Sequence, residues 1–121
     1  MTDMARVAFC GLGVMGAPMA GHLVAKGHDV VVFNRTAERA HQWVEQYGGA
    51  VAPTPRDAAE GAEFVFLCVG NDDDVRAVAV GPGGALHGMA PGATLVDHTT
   101  ASAGLARELY ASCAAHSVGF L

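Results

Sequence analysis

Positive charge is scarce in this sequence. Seven Lys and Arg residues stand against twelve Asp and Glu residues, giving a formal net charge of −5 at pH 7. Nucleic acids and anionic lipid surfaces are bound by clustered basic side chains, and the sequence holds no such cluster. We therefore expect neither nucleic acid nor a membrane surface as a partner. An anionic ligand would have to be held by backbone N–H groups and a few arginines.

Long apolar runs and cysteine pairs are also lacking. No apolar run approaches the roughly 20 residues of a membrane-spanning helix, and residues 1–6 lack the apolar segment of a signal peptide. The three cysteines form no CxxC pair, and the six histidines show no metal-ligand spacing. Two of the cysteines fall inside apolar runs and are expected to be buried thiols. These absences argue against a disulfide framework or a metal site and predict a cytoplasmic protein.

Short β-branched runs alternate with helical stretches along all 121 residues. This pattern is typical of βαβ units and predicts one α/β domain, a Rossmann-type doubly wound parallel sheet with strand order 3-2-1-4-5-6. Thr36 and Thr54 are expected to cap the second and third helices. The sequence predicts strands at 5–10, 30–33, 50–52, 64–69, 94–97 and 117–121, and helices over 14–26, 36–47, 55–60, from 71, 85–89 and 102–116.

A glycine-rich turn separates the first predicted strand from the first helix. Its residues are Gly11, Leu12, Gly13, Val14, Met15 and Gly16. The first glycine would make the tight turn, the second would let the backbone approach a pyrophosphate, and the third would let helix and strand pack closely. A pyrophosphate there would meet free N–H groups and the positive end of the helix dipole. The turn predicts a dinucleotide site, with a purely structural strand-to-helix turn as the alternative.

The second predicted strand ends without the acidic residue that usually binds the ribose 2′-hydroxyl of NAD. Asn34, Arg35 and Thr36 stand there instead. Arg35 can bind a 2′-phosphate through paired hydrogen bonds, and the Thr36 hydroxyl can donate another. With Arg39 as a second cation one helical turn further on, these residues favour NADP over NAD. The alternative is a solvated Arg35 and a Thr36 that acts only as a helix cap.

Three segments together resemble the β-hydroxyacid dehydrogenases of the 6-phosphogluconate dehydrogenase superfamily, which include 3-hydroxyisobutyrate dehydrogenase and the glyoxylate/succinic semialdehyde reductases. Residues 9–20 resemble the extended glycine signature of that family, and residues 34–36 resemble its NADP-preferring members. Residues 97–100, Asp-His-Thr-Thr, lie where the family carries an Asp-x-Ser-Thr-like substrate signature. The resemblance covers essentially the whole chain.

The resemblance implies further site residues. Val69, Gly70 and Asn71 would line the adenosine side of the cofactor. Thr99 would replace the family's serine, which meets the substrate carboxylate beside the nicotinamide, and Thr100 would also bind substrate. Strand-end hydroxyls that bond only to local backbone are the alternative for both threonines. The resemblance gives no role to His98, and we assign it none.

Members of this family continue beyond the sixth strand with a glycine-containing signature, a helix bearing an Asn and a catalytic Lys, and a helical domain that closes the cleft and forms the dimer. We expect this C-terminal domain to be absent here and the fold to be truncated at the sixth strand. The only lysine, Lys26, falls at the far end of the first predicted helix from the glycine turn. We therefore assign no catalytic residue to this chain.

We accordingly expect residues 1–121 to be the NADP-binding domain of an oxidoreductase. It would transfer a hydride between NADP(H) and a small 3-hydroxyacid or its aldehyde or keto counterpart, while this chain alone binds cofactor without turnover. The expected partner of the full-length enzyme is a small carboxylate-bearing substrate, and a homo-oligomer is left open. The alternatives are the cofactor domain of an imine-reductase-like enzyme and a stand-alone NADP-binding regulatory module.

Overall fold

The computed structural model describes residues 5–98 and 102–121. Within these residues, six parallel strands form one sheet in the order β3-β2-β1-β4-β5-β6, which confirms the predicted Rossmann-type α/β fold and its strand order. The strands are β1 (Arg6–Cys10), β2 (Asp29–Phe33), β3 (Ala50–Val51), β4 (Phe64–Leu67), β5 (Thr94–Asp97) and β6 (Gly119–Phe120). The helices are α1 (Gly16–Ala25), α2 (Ala37–Tyr47), α3 (Pro55–Ala59), α4 (Asp72–Ala79) and α5 (Ala103–Ala115), with a 3₁₀ turn at Ala85–His87.

Helices cover both faces of the sheet, so its central strands are apolar on both sides. On one face, Ala20 of α1 and Trp43 of α2 pack against β1 and β2. On the other face, α3, α4, the 3₁₀ turn and α5 pack against a second apolar layer, to which Leu67 and Leu95 belong. Burying one large apolar side chain contributes roughly 1.5–3 kcal/mol, so these two layers supply most of the stabilisation.

The packing of α1 on α2 requires a small residue and a hydrogen bond. A Cβ at Gly21 would lie 2.6 Å from the ring of Tyr47, so a larger residue there would force that ring to move. Trp43 Nε1 donates to the carbonyl oxygen of Ala17 at 3.0 Å. These contacts fix the direction of α1 and so place its N-terminus at the carboxyl edge of the sheet.

One helix start and one helix cap differ from the sequence prediction. The first helix begins at Gly16 rather than at 14, and Met15, whose spacing with Met19 and Leu23 is helical, is 70% exposed. Thr36 stands at the N-cap of α2, but its side chain makes no capping hydrogen bond. Thr54 does cap α3 as predicted, since its Oγ1 accepts from the N–H of Asp57 at 3.1 Å.

Candidate functional site

A cleft of about 700 Å³ opens at the carboxyl edge of the sheet, beside the ends of β1 and β4. The chain builds the sheet outward from β1 to β3 and then crosses back to β4, so the loops after β1 and β4 diverge and leave a crevice. The lining residues are Gly11, Leu12, Gly13, Val14, Met15, Gly16, Phe33, Asn34, Arg35, Thr36, Arg39, Pro55, Cys68, Val69, Gly70, Asp74, Ala77, Val78 and Pro82.

The three glycines of the turn differ in the atoms that surround them. Gly11 has a φ of +105°, and a Cβ there would overlap the carbonyl oxygen of Cys68. A Cβ at Gly16 would overlap the carbonyl oxygen of Gly11. A Cβ at Gly13 would meet no atom within 4 Å, and its φ lies outside the left-handed region. The fold thus requires glycine at 11 and 16, whereas the open space at Gly13 is a place where a ligand could approach the backbone.

Free backbone donors surround that open space. Within the described ranges, no protein acceptor takes the N–H groups of Gly13, Val14 and Met15, while the Ala17 N–H donates to the Gly13 carbonyl oxygen at 3.1 Å. The first turn of the ten-residue helix α1 carries no acidic side chain. The unpaired N–H groups and the positive end of the helix dipole therefore form a place that favours an anion.

Asn34 joins the glycine turn to the loop between β2 and α2. Its Oδ1 accepts from the Leu12 N–H at 2.9 Å, and its Nδ2 donates to the carbonyl oxygen of Thr36 at 3.0 Å. An amide can accept and donate at once, whereas a carboxylate only accepts. Asn34 therefore positions the two loops, and its neutral side chain leaves this corner of the cleft without an acid directly after β2.

Arg35 reaches across the cleft to α4. Its Nη1 lies 3.2 Å from Oδ1 of Asp74, and the two side chains are 86% and 28% exposed. The N–H of Asp74 donates to Oδ1 of Asn71, the N-cap of α4, at 2.9 Å. Sequence reasoning did not identify Asp74, because it lies 39 residues from Arg35 and no local pattern joins them.

The structure brings most of the predicted site residues together. The glycine turn, Asn34-Arg35-Thr36, and Val69 with Gly70 all line the cleft, as does the second cation, Arg39. Asn71 is not among the lining residues, because its side chain caps α4. Thr99 and Thr100 lie outside the described residues.

The lining residues that sequence reasoning missed, besides Asp74, are mostly apolar. They come from β2, α3 and the segment between β4 and the 3₁₀ turn, and only the strand order brings these parts to one edge. These residues are Phe33, Pro55, Cys68, Ala77, Val78 and Pro82.

The cysteine thiols beside the cleft are poor nucleophiles, and the His98 ring makes a stacking contact. Burial, and secondarily the nearby Asp97 carboxylate, raises the pKa of the half-buried Cys68 thiol, and burial raises that of Cys10 to about 12. Both thiols therefore stay protonated at neutral pH. The His98 ring stacks on Phe66 with centroids 5.8 Å apart. The ionised groups lining the cleft are thus two arginines and one aspartate.

Among residues 5–98 and 102–121, no group of three or more His, Cys, Asp and Glu side chains could hold a metal ion. In that part of the chain, no helix is long and apolar enough to cross a membrane.

The switch in strand order, the glycine turn on a helix N-terminus and the adjoining cleft define a dinucleotide-binding domain of the Rossmann type. Residues 6–121 match the family model described as the NAD binding domain of 6-phosphogluconate dehydrogenase. The chain therefore belongs to this family of pyridine-nucleotide-binding domains. Its relatives include oxidoreductases of the β-hydroxyacid dehydrogenase type.

Two relatives illustrate the match. An oxidoreductase of Shewanella frigidimarina is 64% identical over 118 residues, which cover 98% of this chain and 40% of the relative. The 3-sulfolactaldehyde reductase of Escherichia coli is 40% identical over 97 residues, covering 80% of this chain and 32% of the relative. The chain thus spans less than half the length of these proteins.

Solved structures agree with this placement. The 3-hydroxyisobutyrate dehydrogenase of Mycobacterium tuberculosis superposes with a TM-score of 0.84 at 31% identity, over 97% of this chain and 39% of that chain. Psf3 in complex with NADP⁺ superposes with a TM-score of 0.85 at 30% identity, over 94% of this chain and 40% of that chain.

Proposed function

We propose that this chain is the NADP-binding domain of an enzyme that transfers a hydride between NADP(H) and a small 3-hydroxyacid or its aldehyde or keto counterpart. The observation that carries the cofactor assignment is the corner of the cleft after β2. This corner is lined by two cations, Arg35 and Arg39, and by the hydroxyl of Thr36. Asn34 stands where NAD-binding domains usually carry an acidic residue. The complex of the similar protein Psf3 with NADP⁺ supports the same assignment.

The residues present fit such a cofactor. The free N–H groups of Gly13, Val14 and Met15 would hold the pyrophosphate, and the open space over Gly13 would admit it. Arg35 and Thr36 would bind the 2′-phosphate through charge-assisted hydrogen bonds. Ala77, Val78 and Pro82 give the cleft an apolar wall suited to the adenine ring. When bound, the nicotinamide would donate the hydride as NADPH or accept it as NADP⁺, and this chain would supply binding and orientation.

We assign the catalytic acid or base to no residue of this chain. Lys26 follows the last residue of α1, and the cleft lies at the first. Ten helical residues separate the two ends by about 15 Å. The 121 residues alone should therefore bind cofactor without turnover. The proposal includes a small carboxylate-bearing substrate that contacts Thr99 and Thr100, and a cytoplasmic location.

Parallel calorimetric titrations with NADPH and NADH test the cofactor assignment. We expect tighter binding of NADPH, and we expect Arg35→Ala to weaken NADPH binding about 10-fold or more while NADH binding holds, because hydrogen bonds to charged groups contribute roughly 1.5–3 kcal/mol. Arg107→Ala is the matched control, since Arg107 is an exposed arginine on α5 that does not line the cleft. Equal affinities for NADPH and NADH would refute the assignment to NADP.

A second assay tests the absence of turnover. The purified chain is mixed with NADP⁺ and 3-hydroxyisobutyrate, and NADPH formation is followed by absorbance at saturating cofactor. We expect none above the protein-free control. Steady NADPH formation that scales with the concentration of the chain would mean that a catalytic group lies within these residues.

A further inference from the structure

The ion pair between Arg35 and Asp74 has one fixed and one mobile partner. Asp74 is only 28% exposed, and its N–H is held by the side chain of Asn71. Its Oδ2 also packs over Gly70, where an added Cβ would come within 2.9 Å. Arg35, by contrast, is 86% exposed, and among residues 5–98 and 102–121 its side chain pairs only with Asp74. The carboxylate is therefore built into the cleft wall, and the guanidinium is the partner free to turn.

We infer that Asp74 is a specificity-determining residue that competes with the cofactor's 2′-phosphate for Arg35. This inference rests on the proposed function, in which Arg35 binds that phosphate. Asp74 and Arg35 line the same cleft, and Asp74 Oδ1 takes one of the five N–H donors of the guanidinium, so a phosphate bound at Arg35 would share that cation with the carboxylate.

The charges in the cleft determine the direction of the effect. A 2′-phosphate adds negative charge near the Asp74 carboxylate, and like charges at short range repel. The 2′-hydroxyl of NADH is neutral and meets no such repulsion. Asp74 therefore lowers the affinity for NADPH more than that for NADH, and it sets how strongly the domain prefers NADPH.

The neighbouring Asp73 provides a matched control. It belongs to the first turn of the same helix and carries the same charge, but it is 94% exposed and pairs with Arg76 outside the cleft. Asp73→Asn therefore removes one charge from the helix N-terminus without altering the group that faces Arg35. A difference between the variants at 73 and 74 isolates the contact with Arg35 from the general electrostatic field.

The test is calorimetric titration of the purified chain and its variants with NADPH and NADH at low ionic strength. We expect Asp74→Asn to tighten NADPH binding about two- to five-fold, the range typical of an exposed ion pair, and to leave NADH binding unchanged. Asp73→Asn should tighten NADPH binding by less. Adding Asp74→Asn to Arg35→Ala should yield a smaller gain than in the wild-type background, because the competed group is gone.

Weaker NADPH binding by Asp74→Asn, or equal changes for both cofactors, would overturn the inference. Thermal unfolding first establishes that each variant is folded, and Asp74→Ser serves as the second variant if the asparagine unfolds the chain. The proposed function fails separately, because it requires the wild-type chain to prefer NADPH and Arg35→Ala to lose that preference. If both hold and Asp74 has no effect, only the role of Asp74 is refuted.

Discussion

In the glycine turn, a methyl group at position 13 would enter the cleft without touching the protein, since no atom lies within 4 Å of that Cβ. The backbone there is also one that alanine can adopt, because its φ lies outside the left-handed region. Gly13→Ala should therefore leave the fold intact. Stability should even rise by about 0.4–1 kcal/mol, because alanine restricts the unfolded chain.

Cofactor binding should respond in the opposite direction. A phosphate oxygen bonds a backbone N–H at about 2.7–3.2 Å, and the added methyl would occupy part of that gap. Losing one or two charge-assisted hydrogen bonds of roughly 1.5–3 kcal/mol each weakens binding by about 10-fold to about 10⁴-fold. NADPH and NADH should suffer equally, because both carry the pyrophosphate.

Thermal unfolding and calorimetric titration of the same samples measure the two effects. Gly104→Ala is the matched control, because Gly104 lies on α5 and does not line the cleft. An added Cβ there would meet only Ser102 Oγ, at 3.9 Å. This variant should stabilise the chain without altering cofactor binding. Gly16→Ala should instead destabilise the fold by roughly 1–3 kcal/mol through overlap with Gly11. Wild-type affinity in Gly13→Ala would refute the pyrophosphate site, and a large loss of stability would show that Gly13 serves the fold.

Two further predictions concern Asn34 and Asp72. Asn34→Asp keeps the acceptor for the Leu12 N–H but loses the donor to the Thr36 carbonyl, so urea unfolding should show about 1 kcal/mol less stability. The affinity for NADPH should also fall relative to that for NADH. An unchanged ratio of the two affinities would contradict this prediction. The side chain and N–H of Ser102 hold the pKa of Asp72 below its ordinary value. The contact therefore stabilises the fold fully above the unfolded-state pKa of Asp72, and this stabilisation is lost as pH falls through the lower folded-state pKa. Ser102→Ala should raise the pKa of Asp72 measured by carboxyl NMR. An unchanged pKa would exclude the side-chain contact.

Local patterns in the sequence were sufficient for the architecture. The apolar run at 64–67 is typical of a strand covered on both faces, and the alternation of such runs with helices favours the strand order 3-2-1-4-5-6 that the structure shows. That order brings the ends of β1, β2 and β4 to one edge. The residues after those strands therefore line the cleft, as the sequence predicted for the glycine turn, residues 34–36, Val69 and Gly70.

Local patterns were less reliable at helix starts. Met15 follows helical spacing with Met19 and Leu23, yet it lies before the first turn of α1 and is 70% exposed. Spacing alone cannot distinguish a residue of the turn from one of the helix, because the boundary depends on how Gly16 packs against Gly11. Thr36 shows the same limit: its position at the N-cap was predictable, but Asn34 engages its carbonyl and no capping bond forms.

The sequence by itself determined the parallel sheet, the dinucleotide turn and the lack of an acid after β2, because each depends on residues that are neighbours in the chain. The tertiary structure supplied the contacts behind the three glycine roles that the motif predicts, because those contacts depend on which atoms after β4 and in the turn surround each Cα. Only the tertiary structure placed Asp74 opposite Arg35, since α4 reaches the β2 loop through the sheet order rather than through any local pattern. Contacts between distant segments are fixed by packing, and packing therefore determined which charged side chains meet in the cleft.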